Sequence, residues 1–440
     1  MARVQAELRE RWPESRLDPT LDRIKDLVDL LGEPQRGYPV IHIGGTNGKT
    51  TTARIIDAVL RGFGLRVGRF TSPDLSSVTE RISLDGEPIS ARRFVETYDD
   101  IRPYLALVDK EHPVPLSYFE VLTAMGFAAF ADAPVDVAVV EVGMGGAWDS
   151  TNVVDGRVCV VTPVALDHTA YLGDTLEQIA AEKAGIIKPG SAVVLAEQPP
   201  EVADVLLQRA AEVGASVVRE GSEFGVVSRV PGVGGQMLSL QGLRATYDDV
   251  FLPLFGAHQA QNAVVALAAV ESFTESQPLD AEIVRAAFAG VTSPARLEII
   301  RRSPTIVLDA AHNPHGAEAT AAALEDSFTF SPLVGVMGVM ADKDAEGVLA
   351  AFEPHLAHLV CTQNSTDRAM PAAALAETAR EIFGDHRVTV APRLADAIDQ
   401  AATLAEAGAV FGGGVGSGAV LVTGSVITAG EARTMLKGRS

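Results

Sequence analysis

Short apolar runs alternate with longer amphipathic runs along most of the chain. The apolar runs are rich in β-branched residues and include residues 40–43, 135–140, 158–161 and 192–195. The amphipathic runs are rich in alanine and include residues 50–62, 117–131 and 201–213. Gly214 follows the last of them, where glycine commonly ends a helix. The alternation predicts βα units that build a mostly parallel sheet with helices on both faces.

Two changes of pattern divide the chain further. Residues 224–254 form short alternating segments around the glycine cluster 231–235, which predicts a small antiparallel sheet. After a Ser-Pro break near residue 293, a second series of apolar runs begins, at residues 305–308, 333–337, 359–362, 388–390 and 420–423. We therefore predict an α/β protein with two domains, residues 1–297 and 298–440, of which the second is Rossmann-like.

The composition disfavours several classes of protein. The 440 residues are 47% hydrophobic and 21% charged, as in a globular chain, and the net charge of −21 disfavours non-specific binding to nucleic acid or to anionic membranes. Segment 1–11 is charged, and no apolar run approaches the roughly 18 residues that span a bilayer. We expect a cytoplasmic monomer. Cys159 and Cys361 lie far apart in apolar runs and are expected to be buried thiols.

The strongest chemical signal is a glycine-rich turn between an apolar strand and a helix. Residues 44–50 read Gly-Gly-Thr-Asn-Gly-Lys-Thr. Backbone N–H groups at such a turn bind phosphate, Lys49 can reach the outer phosphates, and the Thr50 hydroxyl can bind magnesium. The spacing is one residue shorter than that of the strict P-loop, because three residues separate Gly44 from Gly48. Lysine is scarce here, with seven residues against 29 arginines, so this one is informative.

Further polar residues follow the next predicted strands. Glu141 ends a strand and enters a glycine-rich loop, the position where an α/β nucleotide site holds magnesium. Asp167 and His168 follow another strand, and Lys183 lies on the helix after them. His168 and Lys183 alone are weak signals, and their weight comes from their combination.

The predicted joint between the domains adds a cation and a second strand end. Arg296 lies at the joint and can neutralise phosphoryl charge once the domains close around a hinge at residues 294–302. Residues 309–314, Asp-Ala-Ala-His-Asn-Pro, end the first strand of the second domain. The glycine-rich segment 412–418 follows a helix and precedes a strand, which is the wrong order for a phosphate site, so we predict a flexible loop there.

Together, these residues resemble folylpolyglutamate synthase, which in bacteria is often also dihydrofolate synthase, within the Mur ligase superfamily. The resemblance covers nearly the whole chain. It rests on Gly-Thr-Asn-Gly-Lys (45–49), Thr-Ser-Pro (71–73), Glu-Arg-Ile (80–82), Ser-Tyr-Phe-Glu (117–120), Glu-Val-Gly-Met-Gly-Gly (141–146), Asp-His (167–168), Glu-Lys-Ala-Gly-Ile-Ile-Lys (182–188), His-Gln-x-x-Asn (258–262), Asp-Ala-Ala-His-Asn-Pro (309–314), Asp-Lys-Asp (342–344) and Gly-Ser (424–425). The chain departs from the family at two positions: Thr50 stands where glycine is common, and Ala147 where arginine is common.

The resemblance implies a P-loop ATPase domain followed by a Rossmann-like domain, with ATP in the cleft. It assigns ATP binding to Asn47, Gly48, Lys49, Thr50, Asn262, Arg296 and Asp309. It assigns one or two Mg²⁺ ions to Thr50, Ser72, Glu141 and His168, and it leaves open the use of a monovalent cation such as K⁺. It assigns folate binding to Leu17, Asp18, Pro19, Ser117, Tyr118, Phe119, Glu120, Trp148, Asp149 and Ser150. The catalytic residues would be Lys49, Lys183 as a carbamate, and His312.

The implied reaction is ATP-dependent amide formation. The γ-phosphoryl group passes to a carboxylate of tetrahydrofolate or dihydropteroate, and the amine of L-glutamate then displaces phosphate. Two alternatives remain at this point. A P-loop switch protein would hydrolyse nucleotide without making a bond, and a peptidoglycan-precursor ligase would need an N-terminal domain for which the about 40 residues before the turn are too few.

Overall fold

The structure is a computed structural model that describes residues 1–13, 18–275, 277–411 and 418–438. Leu17 lies outside the described residues, and so does most of the loop predicted at 412–418. The described chain forms three β-sheets with helices packed against them. This arrangement confirms the predicted α/β class, with mostly parallel sheets and one small antiparallel sheet.

The first sheet has eight strands. They are β1 (Val40–Gly44), β2 (Val67–Phe70), β3 (Ile82–Leu84), β4 (Glu87–Pro88), β5 (Val137–Glu141), β6 (Gly156–Val161), β7 (Ala192–Leu195) and β8 (Ser216–Arg219). Their spatial order is β4-β3-β2-β5-β1-β6-β7-β8. Neighbours from β2 to β8 pair in parallel, and β3 and β4 form an antiparallel edge. Every residue of β1 and β5 is buried, as expected for central strands of a sheet covered on both faces.

Ten helices accompany the first sheet and the small sheet in the described residues. They are α1 (Ala2–Arg9), α2 (Asp22–Leu30), α3 (Lys49–Gly62), α4 (Ala91–Glu111), α5 (Tyr118–Asp132), α6 (Thr169–Leu172), α7 (Leu176–Ala184), α8 (Pro200–Val213), α9 (Ala257–Thr274) and α10 (Ala281–Ala289). The predicted helices agree with α3, α5 and α8 to within one residue. Gly214 ends α8 with a φ of 67°, as predicted.

The small second sheet contains three antiparallel strands, as predicted. They are β9 (Gly225–Gly232), β10 (Gly235–Gln241) and β11 (Thr246–Leu252), in the order β11-β10-β9. Leu238, Leu240 and Val250 from this sheet belong to the same buried core as residues of α3 and α9. The small sheet therefore extends the first sheet's core.

The third sheet and its helices follow in the chain. The strands are β12 (Glu298–Arg302), β13 (Thr305–Leu308), β14 (Leu333–Met337), β15 (His358–Gln363), β16 (Val388–Arg393) and β17 (Ala419–Thr423), in the order β12-β13-β17-β14-β15-β16. The helices are α11 (Pro314–Ser327), α12 (Ala345–Phe352), α13 (Ala372–Phe383), α14 (Leu394–Phe411) and α15 (Val426–Lys437). Separate apolar cores fill its two faces, as in a Rossmann-like domain.

Two further sequence predictions can be compared with the described residues. Cys159 and Cys361 are buried free thiols, as predicted. No helix in the described parts of the chain has both the length and the apolar character needed to cross a membrane.

The parallel arrangement brings three strand ends to one edge of the first sheet. β1 lies between β5 and β6, and all three run in the same direction. The turn at 45–48, Glu141 at the end of β5, and the segment 162–168 after β6 therefore lie side by side. This edge faces the third sheet's domain, and it is where the candidate site lies.

Candidate active site

The turn between β1 and α3 requires glycine at two positions. Gly45 and Gly48 adopt φ angles of 129° and 89°. A Cβ added to Gly45 would lie 2.0 Å from Thr162 Oγ1, and one added to Gly48 would lie 2.3 Å from Asn262 Oδ1. The backbone can pass this closely under its neighbours only without side chains. The turn therefore presents main-chain amides at the N-terminus of α3, as a phosphate-binding loop does.

The Lys49 ammonium group lies over this turn. Its Nζ donates hydrogen bonds to the carbonyl oxygens of Gly45 and Thr46, both at 3.1 Å. Burial lowers the pKa of Lys49, and the negative charges of Glu141 and Asp167 partly oppose that effect. The cation is thus placed where it would meet an anion bound at the turn.

Glu141, Thr50 and Ser72 form a cluster of oxygen donors beside the turn. The Thr50 hydroxyl donates to Glu141 Oε1 at 2.8 Å, and the Ser72 amide donates to Glu141 Oε2 at 3.4 Å. Burial raises the pKa of Glu141, and the nearby charge of Lys49 partly opposes it. Mg²⁺ commonly binds one or two protein oxygens together with substrate phosphates, so this cluster fits the ion. No group of three His, Cys, Asp or Glu side chains in the described residues forms an all-protein metal cage.

A second polar cluster surrounds Asp167. Lys343 Nζ donates to Asp167 Oδ1 at 2.5 Å and Asn313 Nδ2 donates to Oδ2 at 3.1 Å, while His312 Nε2 lies 3.6 Å from Oδ2. Burial alone would raise the pKa of Asp167, but contact with His312 and the charge of Lys343 outweigh it and lower the pKa. Burial also lowers the pKa of His168 to about 4, so its imidazole is neutral at pH 7. Two parts of the chain distant in sequence meet at this carboxylate.

Lys183 on α7 lies beneath the turn. Its Nζ donates to the carbonyl oxygen of Gly45 at 2.9 Å, and its side chain is buried. Burial, together with repulsion from Lys49, lowers the pKa of Lys183 to about 7. A substantial fraction of this amine is therefore uncharged, and so nucleophilic, at neutral pH.

A first cavity of about 420 Å³ opens beside the turn. It is lined by predicted ATP-binding residues from both parts of the chain, namely Asn47, Gly48, Asn262, Arg296 and Asp309. Asp309 is buried, and its carboxylate accepts hydrogen bonds from the amides of Leu297 and Ala311 at 3.0 and 2.9 Å. Asn47 and Asn313, which lie on opposite sides of the predicted domain boundary at 297/298, exchange side-chain hydrogen bonds of 3.2 and 3.1 Å.

A larger cavity of about 770 Å³ lies on the other side of the Asp167 cluster. Most of the predicted folate-binding residues line it: Asp18, Pro19, Ser117, Phe119, Glu120, Trp148, Asp149 and Ser150. Ser72, His168 and Lys343 also line this cavity. His312 lines both cavities, so its side chain lies at their junction.

Five of the predicted site residues that the structure describes line neither cavity: Lys49, Thr50, Tyr118, Glu141 and Lys183. The first two and the last two lie at the turn described above, whereas Tyr118 contacts another side chain. The guanidinium carbon of Arg81 instead lies 5.3 Å from the centre of the Tyr118 ring. Leu17 falls outside the described residues.

The structure also adds site residues to which the sequence analysis assigned no role. His258 and Gln259 line the first cavity, and Lys343 and Arg23 line the larger one. Arg23 is buried, and its Nε donates to Glu120 Oε1 at 3.0 Å. Lys343 was part of a recognised motif but carried no assigned role, because only the folded chain brings it to Asp167.

Comparison with known proteins gives consistent matches. The family model "Mur ligase middle domain" matches residues 115–270, and "Mur ligase, glutamate ligase domain" matches residues 295–426. A curated protein of Mycobacterium tuberculosis, dihydrofolate synthase/folylpolyglutamate synthase, is 51% identical over 455 aligned residues, which cover 99% of this chain and 93% of that protein.

Solved structures show the same similarity. M. tuberculosis folylpolyglutamate synthase complexed with ADP matches with a TM-score of 0.96 and 52% identity, covering 99% of this chain and 98% of that one. Escherichia coli FolC in complex with DHPP and ADP matches with a TM-score of 0.85 and 29% identity, covering 100% of this chain and 98% of that one.

Proposed function

Because the chain belongs to the dihydrofolate synthase/folylpolyglutamate synthase family of Mur ligases, we propose that it joins L-glutamate to a folate or dihydropteroate carboxylate with ATP as phosphoryl donor. A carboxylate resists direct attack by an amine, because its charge repels nucleophiles and its leaving group is poor. In the first step a carboxylate oxygen attacks the γ-phosphorus of ATP and ADP leaves. In the second the glutamate amine attacks the acyl carbon, loses a proton, and inorganic phosphate leaves.

The first cavity and the turn hold ATP in this proposal. Gly48 and Thr50 offer main-chain amides to the triphosphate at the N-terminus of α3, and Lys49 neutralises its charge. Asn47 lies beside them, with its own amide donated to the carbonyl oxygen of Pro163 at 3.3 Å. The remainder of the nucleotide occupies the cavity, where Asn262, Arg296 and Asp309 bind it. Support comes from the fact that five of these seven residues line one cavity.

Thr50, Ser72, Glu141 and His168 would hold Mg²⁺. When bound, the ion withdraws charge from the phosphoryl oxygens that it contacts. The protein's own part is to keep Glu141 and Thr50 in place, through their hydrogen bond, before ATP arrives. We assign no residues to a monovalent cation.

Lys183 is proposed to act as a carbamate. Its neutral amine attacks carbon dioxide, an N–C bond forms, and one proton leaves to solvent. The buried cation becomes an anionic oxygen group beside the turn, which suits a second Mg²⁺ better than an ammonium does. The lowered pKa of Lys183 supports this step, because only the uncharged amine reacts.

The folate substrate occupies the larger cavity in this proposal. Asp18, Pro19, Phe119 and Trp148 contact the pterin-bearing part, together with Leu17, Ser117, Tyr118, Glu120, Asp149 and Ser150. His312 then orients the acyl phosphate or the incoming amine. We further propose that residues 1–297 and 298–440 are two domains of a monomer that close over the substrates.

The observation that carries this proposal is the position of His312 in the walls of both cavities. A nucleotide in one cavity and a folate carboxylate in the other would meet at this junction. A protein that only hydrolyses nucleotide has no need for a second large cavity at the γ-phosphate end.

The test is a set of ADP-release assays on the purified protein. We expect release only when ATP, L-glutamate and either tetrahydrofolate or dihydropteroate are all present, and parallel reactions with the two pterins separate the two activities. Lys49→Ala serves as an inactive control. ADP release at an equal rate without folate and glutamate would contradict the proposal and favour the nucleotide switch.

A further inference from the structure

A fully buried histidine lies in the centre of β1, directly before the turn. His42 has no exposed surface, and its neighbours Ile41 and Ile43 are equally buried. Burial lowers the pKa of His42 to about 3, so the ring is neutral at physiological pH. A polar ring in this position is unfavourable unless a hydrogen bond compensates for it, and an aliphatic residue would avoid the cost.

The His42 side chain makes one hydrogen bond in the described structure, and the partner of Thr151 fixes its direction. His42 Nε2 lies 2.9 Å from Thr151 Oγ1, and Thr151 Oγ1 donates its single hydrogen to Asp149 Oδ1 at 2.5 Å. Thr151 must therefore accept the hydrogen of His42 Nε2. The neutral ring then carries its hydrogen on Nε2 and none on Nδ1. This tautomer agrees with the finding that Nδ1 is buried and has no hydrogen-bond partner.

The Asp149 end of this chain of hydrogen bonds organises the wall of the larger cavity. Asp149 Oδ1 also accepts the amide of Thr151 at 2.9 Å, which caps the short 3₁₀ helix Ser150–Val153. Asp149 Oδ2 accepts the amide of Met144 at 2.9 Å, in the glycine-rich loop after Glu141. Met144, Asp149 and Ser150 all line the cavity. One carboxylate therefore fixes two segments of the cavity wall.

We propose that His42 is a positioning residue for the folate pocket, acting through Thr151 on Asp149. The donated hydrogen bond fixes the Thr151 hydroxyl so that its own hydrogen points at Asp149. The carboxylate then holds the loop at Met144 and the helix at Ser150 in one arrangement. This inference rests on the proposed function, because it assumes that the larger cavity is the one that binds folate.

The position of His42 gives the network its rigidity. Its side chain belongs to a strand that is hydrogen-bonded on both sides, with His42 opposite Val140 of β5 and Cys159 of β6. The cavity wall, by contrast, consists of a loop and a single 3₁₀ turn. A donor anchored in the sheet fixes these less regular segments more firmly than a donor on another loop would.

The experiment compares two substitutions at His42 with a matched control. His42→Leu removes the donor at similar volume, and His42→Gln retains an N–H donor at about the same reach. The control is His358→Leu, because His358 Nε2 of β15 lies 3.2 Å from Thr389 Oγ1 of β16 in a partly buried His–Thr pair, and His358 lines neither cavity.

Folate affinity can be measured without turnover. The chain has two tryptophans, Trp12 and Trp148, and both line the larger cavity, so quenching of their fluorescence by tetrahydrofolate or dihydropteroate reports binding there. ATP affinity is measured on the same samples by calorimetry. We expect His42→Leu to weaken folate binding about five- to tenfold, the effect of one lost neutral hydrogen bond, with ATP binding unchanged.

The outcomes are distinct. His42→Gln should restore folate affinity to within about twofold of wild type, and His358→Leu should leave it unaltered. Unchanged folate affinity in His42→Leu, equal losses for ATP and folate, or a glutamine variant no better than leucine would overturn the inference. Absence of folate quenching in the wild-type protein would instead contradict the proposed function.

A second measurement reads the tautomer in the wild-type protein and needs a variant only to assign the signal. Long-range ¹H–¹⁵N NMR of histidine-labelled protein identifies the tautomer of each ring. We expect His42 to give a neutral Nε2–H ring that stays neutral down to pH 5. Burial also lowers the pKa values of His168 and His258 to about 4, so the signal of His42 is identified by its loss from the spectrum of His42→Gln. An Nδ1–H or a cationic ring at His42 would overturn the assignment.

Discussion

Lys49, Lys183 and Glu141 are buried so close together that the pKa of each depends on a neighbour. Glu141 raises the pKa of Lys49, Lys49 lowers those of Glu141 and Lys183, and burial acts against the charged form of all three. Asp167 and Lys343 add a further buried pair. At the scale of single residues, the site therefore places several cations around a point where an anion would bind.

The carbamate at Lys183 gives a prediction with a definite pH dependence. The amine of Lys183, with its pKa lowered to about 7, is mainly protonated below pH 7 and mainly neutral above it. Turnover at constant dissolved CO₂ should therefore rise between pH 6 and pH 8. Removing CO₂ should lower turnover, and added bicarbonate should restore it.

Lys183→Ala should lose at least about 100-fold in turnover and should not respond to bicarbonate. Protein exposed to ¹³C-bicarbonate should show a carbamate signal in its ¹³C NMR spectrum that disappears in Lys183→Ala. The matched control is Lys110→Ala, on the exposed surface of α4, which should keep the signal. Full activity of Lys183→Ala would refute the proposal.

The sequence alone could identify some of these site residues and not others. Lys49, Glu141 and Asp309 each follow or end an apolar run beside glycine or small residues, so their position at a strand end was predictable. His42 lies inside an apolar run, where a single histidine resembles a packed core residue. Lys343 meets Asp167 across 176 positions of sequence, and no local pattern can reveal such a contact.

Among the elements, the turn between β1 and α3 is the most constrained. Gly48 is the N-cap residue of α3, with left-handed backbone, and its Cα faces the Asn262 side chain of α9. Asn262 is itself held by Gln259, since its Nδ2 donates to Gln259 Oε1 at 3.0 Å. The turn therefore has little freedom to accept a side chain.

Gly48→Ala should weaken ATP binding at least about tenfold, because the new Cβ would have to displace Asn262 from the cavity wall. The matched control is Gly64→Ala. Gly64 has a similar φ of 82°, but a Cβ there would meet nothing within 4 Å. Gly64→Ala should lower the free energy of unfolding by about 1 kcal/mol, because of backbone strain alone, and should leave ATP affinity unchanged.

Calorimetric titration with ATP and thermal unfolding separate the two effects. Equal losses of ATP affinity in both variants would show that backbone strain, and not the contact with Asn262, is responsible.

Element prediction succeeded where the apolar pattern was clear and failed where it was broken. β7 has the bounds that the sequence predicted, and β13 and β14 do as well. β12 was interpreted as part of the joint, because Glu298, Arg301 and Arg302 interrupt its apolar residues. It is an edge strand that pairs only with β13 in the described sheet, and edge strands tolerate charged residues. The short strands β2, β3 and β4 gave no signal that distinguished them from loops.

Across the whole molecule, polar contacts join the two proposed domains. Asn47 and Asn313 exchange side-chain hydrogen bonds beside the first cavity, and Arg229 forms an ion pair with Asp326 at 2.7 Å. Away from the cavities, Thr434 Oγ1 donates to Ser76 Oγ at 3.2 Å. Contacts of this kind can break and re-form at low cost, as closure over the substrates requires.

A reversible cross-link tests this closure. Ser76 and Thr434 are exposed, and replacing both by cysteine places two sulfur atoms where a disulfide can form. Oxidation of Ser76→Cys/Thr434→Cys should lower turnover at least about tenfold, because product release requires the domains to part, and dithiothreitol should restore it. Cys159 and Cys361 are buried and should not compete.

Each single cysteine variant serves as a control, since oxidation should leave its turnover unchanged. Undiminished turnover of the fully oxidised double variant, with the disulfide verified by mass spectrometry, would contradict interdomain closure.

The net charge of −21 describes the exterior of the molecule and not its cleft. ATP, a folate carboxylate and glutamate are all anions, so the composition alone suggests repulsion. The described structure places Lys49, Arg296 and Lys343 around the two cavities, together with the N-terminus of α3. The positive charge is therefore local, and the net charge of the chain does not reveal it.

The alignment of β1, β5 and β6 also constrains how such a chain can diverge. One inserted residue in the loops at 45–48, 142–149 or 162–168 would shift a reacting group by about 3.3 Å, more than a hydrogen bond tolerates. The loops that lead into these strands, at 37–39, 133–136 and 154–155, line neither cavity. Insertions and deletions accumulated over evolution should therefore gather at that opposite edge of the sheet, while loops at the reacting edge keep their lengths even as their residues change.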